Sequence, residues 1–544
     1  NSAYNISAAV RLSGALDEAA LESAFSEILR RHEVLRTTFS EVEGTPVQTI
    51  AATLAVPLTK IDLRELPPDE REEKAFAHRS EEARRPFDLQ RGPLLRVTLL
   101  KMSEQEHIAL LTMHHIISDD WSMGVLIGEI GTLYEAFAKG EPSPLAELPV
   151  QYADYTHWQQ EWLRGDVLET HLDYWRQKLG GGTPVLRLPT VRPRPAVQTF
   201  KGARQTLSLS QELTDALKQF CLSRNVTMFM TLLAAFKILL YRYTNQEEIT
   251  VGSPIANRNR SEIEPLIGFF VNTLVLRTDL SGELTFAQLL ERVRDASLAA
   301  YAHQDLPFEK IVDALQPTRD LSHTPLFQVM FTLQNIWMPT LTSSSLKMDF
   351  LPTDTATAKF DLELIVVDRG GALGGALEYN TDLFDAESMR RMLGHFQSVL
   401  ESVVADPQQK IADLPLLTER ERRQLLVEWN DSEVSYPLEH CVHELFEAQV
   451  ERTPEAVAVT YRSEHLTYAQ LNARANKLAR ALVEQGVGRE VLVSLLAERG
   501  VDFLTAVLAV FKAGGAYVPL GPAHPTPRLR SVLAESRSSL VLTT

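Results

Sequence analysis

The stretch from Ile108 to Met113 is an almost unbroken apolar run that stops at two adjacent histidines, His114 and His115. A short run of this kind is typical of a strand covered on both faces. From Trp121 onward Met123, Leu126, Ile127, Ile130, Leu133, Tyr134 and Phe137 follow helical spacing, and Gly128 and Gly131 leave room for another element to approach. The histidines therefore stand where a buried strand ends, and Asp119 stands near a helix N-terminus. Such positions commonly carry binding and catalytic groups.

Neighbouring residues on an extended chain point to opposite sides, so only one of the two histidines is expected to face a given cleft. The same alternation makes the pair a poor chelate for one metal ion. A neutral imidazole takes a proton from an amine or alcohol near pH 7, which is the functional reading. The structural reading is a pair of core histidines bonded to backbone, with Asp119 and Asp120 capping the helix. Residue chemistry alone leaves both open.

The rest of the chain sets limits on what surrounds this segment. Its 544 residues suggest several compact units. Leu21, Ala24, Phe25, Ile28 and Leu29 form one helical face behind a capping Asp17, and alternating strands and helices define an α/β chain. Met228 to Tyr241 is apolar but short, contains Lys237, and reads as a buried helix capped by Thr227, not a membrane span. The region around Gly180-Gly181-Gly182, rich in proline up to Pro195, reads as a connector. The expected division is 1–170 and 199–410 for two lobes, with a connector at 171–198, a linker at 411–435 and a further unit at 436–544. In that last unit Leu471, Ala475, Leu478 and Leu482 start a second core.

A net charge of −17 argues against nucleic acid and anionic membranes as partners. Two distant cysteines, Cys221 and Cys441, fit a reducing cytoplasm and offer neither a disulfide framework nor a metal knuckle. The start without an initiator Met and the stop after an apolar run suggest a piece of something larger.

His114-His115-Ile116-Ile117-Ser118-Asp119 resembles the HHxxxDG signature of nonribosomal peptide synthetase condensation domains, relatives of chloramphenicol acetyltransferase. Six other segments resemble blocks of that family in its order. They are Arg31-His32-Glu33 through Arg36 to Phe39, Tyr152-Ala153-Asp154 to Trp158, Pro254 to Arg258, Ile267-Gly268 through Asn272 to Arg277, His303-Gln304-Asp305 to Glu309, and Arg319-Asp320 to Leu326. In the tail, Leu466-Thr467-Tyr468 to Leu471 and Lys512 to Leu520 resemble the start of an adenylation domain. The phosphate-binding loop and substrate-pocket residues of that second family are absent from the sequence, so the resemblance implies no adenylation by this chain.

The resemblance implies a fold of two chloramphenicol-acetyltransferase-like lobes, α/β sandwiches set in a V with a tunnel at their junction. The implied reaction is aminolysis of a thioester. An acyl or peptidyl group on an upstream carrier protein is attacked by the amine of an aminoacyl group on a downstream carrier. No cofactor is bound directly, and both substrates ride on 4'-phosphopantetheine. Since a thioester is already activated, the protein supplies orientation, exclusion of water and help with the amine's proton. By motif position His115 faces the reaction centre as base or positioning group, and His114 and Asp119 are structural. Asp119 is expected to pair with Arg258, a charge pair tolerated when buried. Asn272 is expected to give either a cleft contact or a strand-register bond, and Trp121 and Ser122 belong to the core or tunnel lining. Arg36, Asp154, Arg277, Asp305 and Arg319 are scaffold.

Two departures stand out. The family's glycine after the aspartate is Asp120, where glycine would allow a positive φ or close approach of substrate. The family's first block is missing, which predicts the loss of a first strand. The wording of the motifs resembles the branch that joins an L-configured donor to an L-configured acceptor. An epimerase-type relative, a free-standing acyltransferase and a silent carrier-recruiting scaffold are the rivals. The adenylation-like tail opposes the first two, and His115 with Asp119 opposes the third.

Overall fold

The computed structural model describes residues 2–317, 320–334, 346–353, 355–368, 370–436 and 438–543. The chain forms two compact units, Asn1–Leu426 and Val427–Thr544. In the larger unit the first lobe contains β1 (Asn5–Ser13), α1 (Glu18–Arg31), the hairpin β2 (Thr37–Val42) and β3 (Thr45–Ile50), β4 (Leu58–Asp62) and α2 (Pro68–Arg84). It continues with β5 (Leu95–Ser103), β6 (Glu106–His114), α3 (Asp120–Ala138), α4 (Tyr152–Trp162) and α5 (Gly165–Leu179). The second lobe begins with β7 (Gly202–Ser208), α6 (Gln211–Arg224), α7 (Met228–Thr244), β8 (Glu248–Ile255) and β9 (Asn272–Asp279). It is completed by α8 (Phe286–Tyr301), α9 (Phe308–Leu315), β10 (Val329–Gln334), β11 (Lys347–Leu351), β12 (Leu362–Val367), β13 (Gly374–Asn380) and α10 (Ala386–Ala405).

The first-lobe sheet has the order β11-β1-β6-β5-β4. β1 lies antiparallel between β6 and β11, so a segment of the second lobe closes the sheet of the first. The opening residues form a strand paired on both sides. β6 is covered on both faces. Met113 and Leu111 enter a core with Ile28, Leu126 and Leu133, while Ile108 and Leu110 enter one with Ala75 and Met102. Asp17 caps α1, its side chain accepting from Ala20 N, and the apolar face of that helix packs into the core shared with α3.

The second-lobe sheet has the order β7-β13-β12-β10-β8-β9. α7 is buried along most of its length and is capped by Thr227, which accepts from Met230 N. Lys237 fits there because its Nζ donates to the Leu276 carbonyl (2.7 Å) and to Thr278 Oγ1 (2.6 Å). Burial depresses its pKa to about 7. No single helix among the described residues is long and apolar enough to cross a membrane.

The expected lobe boundary at 171 falls inside α5, which runs on to Leu179 before the glycines break it. The smaller unit has a two-stranded hairpin, Val457–Tyr461 with Glu464–Thr467, and a helix Tyr468–Glu484 that buries Leu471, Ala475, Ala479 and Leu482. Beside these lies a parallel three-stranded sheet centred on Leu492–Leu496.

Candidate active site

β6 ends at His114, and His115–Ile117 form a single 3-10 turn before Ser118 and Asp119 lead into α3. The Ile116 N–H donates to His114 Nδ1 (3.1 Å), which fixes that nitrogen as an acceptor. His115 Nδ1 lies 2.8 Å from the Ser118 carbonyl, and since a carbonyl only accepts, Nδ1 carries the proton. The Nε2 lone pair of His115 then has no partner among the described residues, while His114 offers an Nε2–H. Both histidines line one cavity, contrary to the expectation from strand alternation. The reason is local: the extended backbone stops at His114, and the turn brings His115 round to the same side.

Burial pushes the imidazole of His115 down to about 4, with the positive charge of Lys359 adding to the effect. His114 is also lowered to about 4, by burial and then by His115. Both rings are therefore neutral at pH 7. His115 packs edge-on against Phe269 at 5.0 Å between centroids, and Phe87 meets His114 edge-on at 6.1 Å.

Asp119 joins the two lobes from within. Oδ1 accepts from Ser122 N (2.8 Å) and sits 2.7 Å from Ser122 Oγ, and Oδ2 accepts from Phe270 N (3.0 Å) and Val271 N (3.2 Å). Arg258 Nη2 lies 3.4 Å from Oδ1, both side chains being buried. Arg258 also donates to Ser122 Oγ (2.8 Å) and to the carbonyls of Ile263 (2.6 Å) and Leu266 (2.7 Å). Its guanidinium rests on the Phe270 ring at 4.0 Å. Gly268 is required by this packing, because a Cβ there would meet the Tyr152 ring at 2.3 Å. Tyr152, noted in the sequence only as part of a block, donates its hydroxyl to the Phe269 carbonyl (2.8 Å).

Asp120 occupies the first turn of α3 and is absent from the residues with positive φ, so the backbone freedom of glycine is not what this position uses. Its carboxylate projects into the cavity and accepts from Gln334 Nε2 of β10 (2.9 Å), a bond between lobes. The side chain is open to the cavity while protein surrounds the cavity, and this enclosure, with Asp119 next to it, raises the carboxyl pKa. Trp121 donates its indole N–H to the Glu264 carbonyl (3.0 Å).

The amide of Asn272 is fully used. Nδ2 donates to the carbonyls of Gln304 (2.8 Å) and Leu306 (2.7 Å), and Oδ1 accepts from Thr273 N (2.8 Å) and Phe308 N (2.9 Å). It fastens β9 to the 304–308 loop and has no donor to spare for a ligand.

The remaining motif residues serve packing. Arg36 donates to the Ala51 carbonyl, Asp154 accepts from Gln151 N (2.8 Å), Arg277 pairs with Glu248 (2.7 Å), and Asp305 accepts from Asn259 Nδ2 (2.9 Å). Arg319 lies outside the described residues.

The cavity measures about 1900 Å³ and lies between the lobes. Its second-lobe wall is the face of four adjoining strands, and cross-strand register arranges that wall in rows. Arg204, Glu378, Glu363 and Met330 make one row, Thr206, Ala376, Ile365 and Thr332 the next, and Ser208, Gly374, Val367 and Gln334 a third. Arg204 Nε bonds Glu378 (2.9 Å), and Thr332 Oγ1 bonds Glu363 (3.0 Å). Burial and the neighbouring Glu378 raise the pKa of Glu363. Reading the sequence missed this wall. The available signal was a glutamate inside each of two strands whose neighbouring positions are apolar, Glu363 in Leu362–Val367 and Glu378 in Gly374–Asn380. Among the described residues no group of three or more His, Cys, Asp or Glu is placed to hold a metal ion.

A neutral imidazole anchored by the Ser118 carbonyl on the wall of a large interlobe cavity, beside a buried Asp–Arg pair that ties the two lobes, is the kind of site that acyl-transfer chemistry needs. The family model for condensation domains matches residues 1–426, and that for AMP-binding enzymes matches residues 446–544. The chain belongs to the condensation-domain family of nonribosomal peptide synthetases and continues into the start of an AMP-binding domain.

It is 50% identical over 542 residues to a linear gramicidin synthase from Brevibacillus parabrevis, covering 99% of this chain and 7% of that protein. The X-domain from teicoplanin biosynthesis superposes with a TM-score of 0.70 at 32% identity, covering 76% of this chain and 93% of that one. A four-domain nonribosomal peptide synthetase, solved with AMP and glycine, shares the fold over 100% of this chain and 42% of its own, with a TM-score of 0.86 at 24% identity.

Proposed function

We propose that this chain forms an amide bond between an acyl or peptidyl thioester on an upstream carrier and the amine of an aminoacyl thioester on a downstream carrier. The observation that carries the reading is His115 Nε2, an unprotonated acceptor on the wall of a cavity about 1900 Å³ in volume. Two pantetheine arms need such a space between them, and the attacking amine needs a neutral acceptor close by. The Ser118 carbonyl holds that imidazole, His114 fixes the turn through Ile116 N, and Asp119 ties the two lobes beside it. The finer reading, an L-configured donor joined to an L-configured acceptor on 4'-phosphopantetheine, rests on the wording of the motifs.

The test is a single-turnover reaction between a donor-loaded and an acceptor-loaded carrier, followed by mass spectrometry of the acceptor arm. The expected product is the amide, with donor stereochemistry retained. Donor inverted at Cα without amide would instead identify an epimerase. Neither product, from folded protein offered a broad set of acyl groups, would sink the reading.

Asp120 is proposed to narrow the cavity without taking part in the chemistry. Replacing it by glycine removes a carboxylate from a helix N-terminus and adds backbone entropy to the unfolded chain, together costing on the order of 1 kcal/mol. Asp120→Gly should melt slightly lower while its amide-forming rate stays within tenfold of the parent. Loss of activity at unchanged stability would instead make Asp120 part of the reacting site.

A further inference from the structure

Among the described residues two lysine or arginine side chains line the cavity, Arg204 and Lys359, and they are placed differently. Arg204 is tied to Glu378 by two contacts, Nε at 2.9 Å and Nη2 at 2.8 Å. Lys359 has no carboxylate within ion-pair distance among the described residues. The nearby acidic groups are engaged elsewhere: Asp361 by Arg194, Glu378 by Arg204, Asp120 by Gln334, and Glu363 by Thr332. Its charge is felt by the Glu363 and Asp120 carboxyl groups, yet neither is within ion-pair distance, so among the described residues the ammonium faces the cavity with no carboxylate bonded to it.

The root of this side chain is held firmly. The Lys359 carbonyl accepts from Gln198 Nε2 (2.8 Å), Ala358 N donates to the Phe200 carbonyl (2.9 Å), and Thr357 bridges to Lys201. Its Nζ lies 5.3 Å from the centroid of the Tyr4 ring, and Tyr4 lies 6.3 Å from His114. The ammonium therefore reaches from the second lobe toward the histidine pair. Its charge is felt at both imidazoles, which it helps to keep neutral. The other positive feature nearby, the N-terminus of α3, is already capped by the Asp119 carboxylate.

From this geometry we infer that Lys359 is a catalytic residue, whose ammonium stabilises the negative charge that develops on the thioester carbonyl oxygen during transfer. The inference rests on the condensation reading. The amine nitrogen bonds to the carbonyl carbon, and the carbonyl π pair moves onto oxygen, facing Lys359. The nitrogen gives up a proton to His115 Nε2. The oxygen pair then re-forms the carbonyl, the C–S bond breaks, and the thiolate leaves with its electron pair and takes the proton from His115. Lys359 keeps its own protons throughout and acts by charge and hydrogen bonding. It is complementary to the tetrahedral adduct more than to the planar thioester, which is the condition for lowering the barrier.

The test compares Lys359→Met, Lys359→Arg and parent in single-turnover amide formation, with melting curves on each. Lys359→Met should lose about a hundredfold in the first-order rate, the scale seen when one oxyanion donor is removed. Its saturation by loaded carriers should stay the same, and Lys359→Arg should recover most of the rate. A second measurement does not depend on turnover: binding of a pantetheine-linked phosphonate, an anionic mimic of the adduct, against its neutral amide counterpart. Lys359→Met should weaken the phosphonate at least tenfold and leave the amide unchanged.

Equal losses for both ligands, or a rate within threefold of parent, overturn the inference while the condensation reading stands. Absence of amide from the parent overturns that reading, and this one with it.

Discussion

Replacing His115 with alanine should reduce single-turnover amide formation by about two to four orders of magnitude, the range that a positioned proton-transfer group contributes. The fold should persist. Among the described residues His115 makes one polar contact, from Nδ1 to the Ser118 carbonyl, and although protein surrounds it the side chain keeps some exposure. The cost in stability is that of one hydrogen bond, about 1 kcal/mol. Activity and melting temperature thus separate, and their separation is the diagnostic. His115→Gln refines it, because an amide accepts a hydrogen bond from the incoming amine but takes no proton. A glutamine variant near the parent rate would reduce His115 to a positioning group, and one as slow as alanine would make it a proton carrier. An alanine variant within tenfold of parent would remove His115 from the chemistry and leave His114 Nε2 as the group to examine.

What could be read from the sequence depended on how local the determining physics was. The run Ile108–Met113 and the period from Met123 to Phe137 put a strand end beside a helix start, and β6 and α3 have those positions. The Asp17 and Thr227 caps and the buried course of α7 were legible for the same reason, since each is decided within one or two turns.

Features decided by distant chain segments were not legible. Strand alternation predicts opposite sides for His114 and His115, but the strand ends between them, and the turn that follows is fixed by Ile116 N and the Ser118 carbonyl. The positive φ considered for Asp120 does not arise, because Asp119 caps the helix one residue earlier. β11 leaves its own lobe to pair with β1, a connection that no periodicity encodes. The wall of Arg204, Glu378 and Glu363 exists only once three strands separated in sequence are brought into register.

Asp119 is the position at which a single change should cost the most stability. Its two carboxylate oxygens serve five donors: the N–H groups of Ser122, Phe270 and Val271, the Ser122 hydroxyl, and Arg258. Alanine would leave the Arg258 charge buried and its neighbours unpaired, and breaking a buried pair by removing one partner costs about 3–5 kcal/mol. Because Phe270 and Val271 belong to the second lobe and α3 to the first, the loss should also loosen the cavity wall that carries His115. Activity should fall as a consequence of stability and not in parallel with His115→Ala.

Asparagine should not rescue the site. One of its two terminal atoms is an N–H₂, which would face either the N–H pair of Phe270 and Val271 or that of Ser122. Asp119→Asn is therefore expected to melt nearly as low as Asp119→Ala in thermal or urea unfolding of the whole chain. An asparagine variant with parental melting and parental rate would show that the carboxylate is dispensable. The weight of holding the lobes together would then rest on the Arg258 bond to Ser122 Oγ and the Tyr152 bond to Phe269.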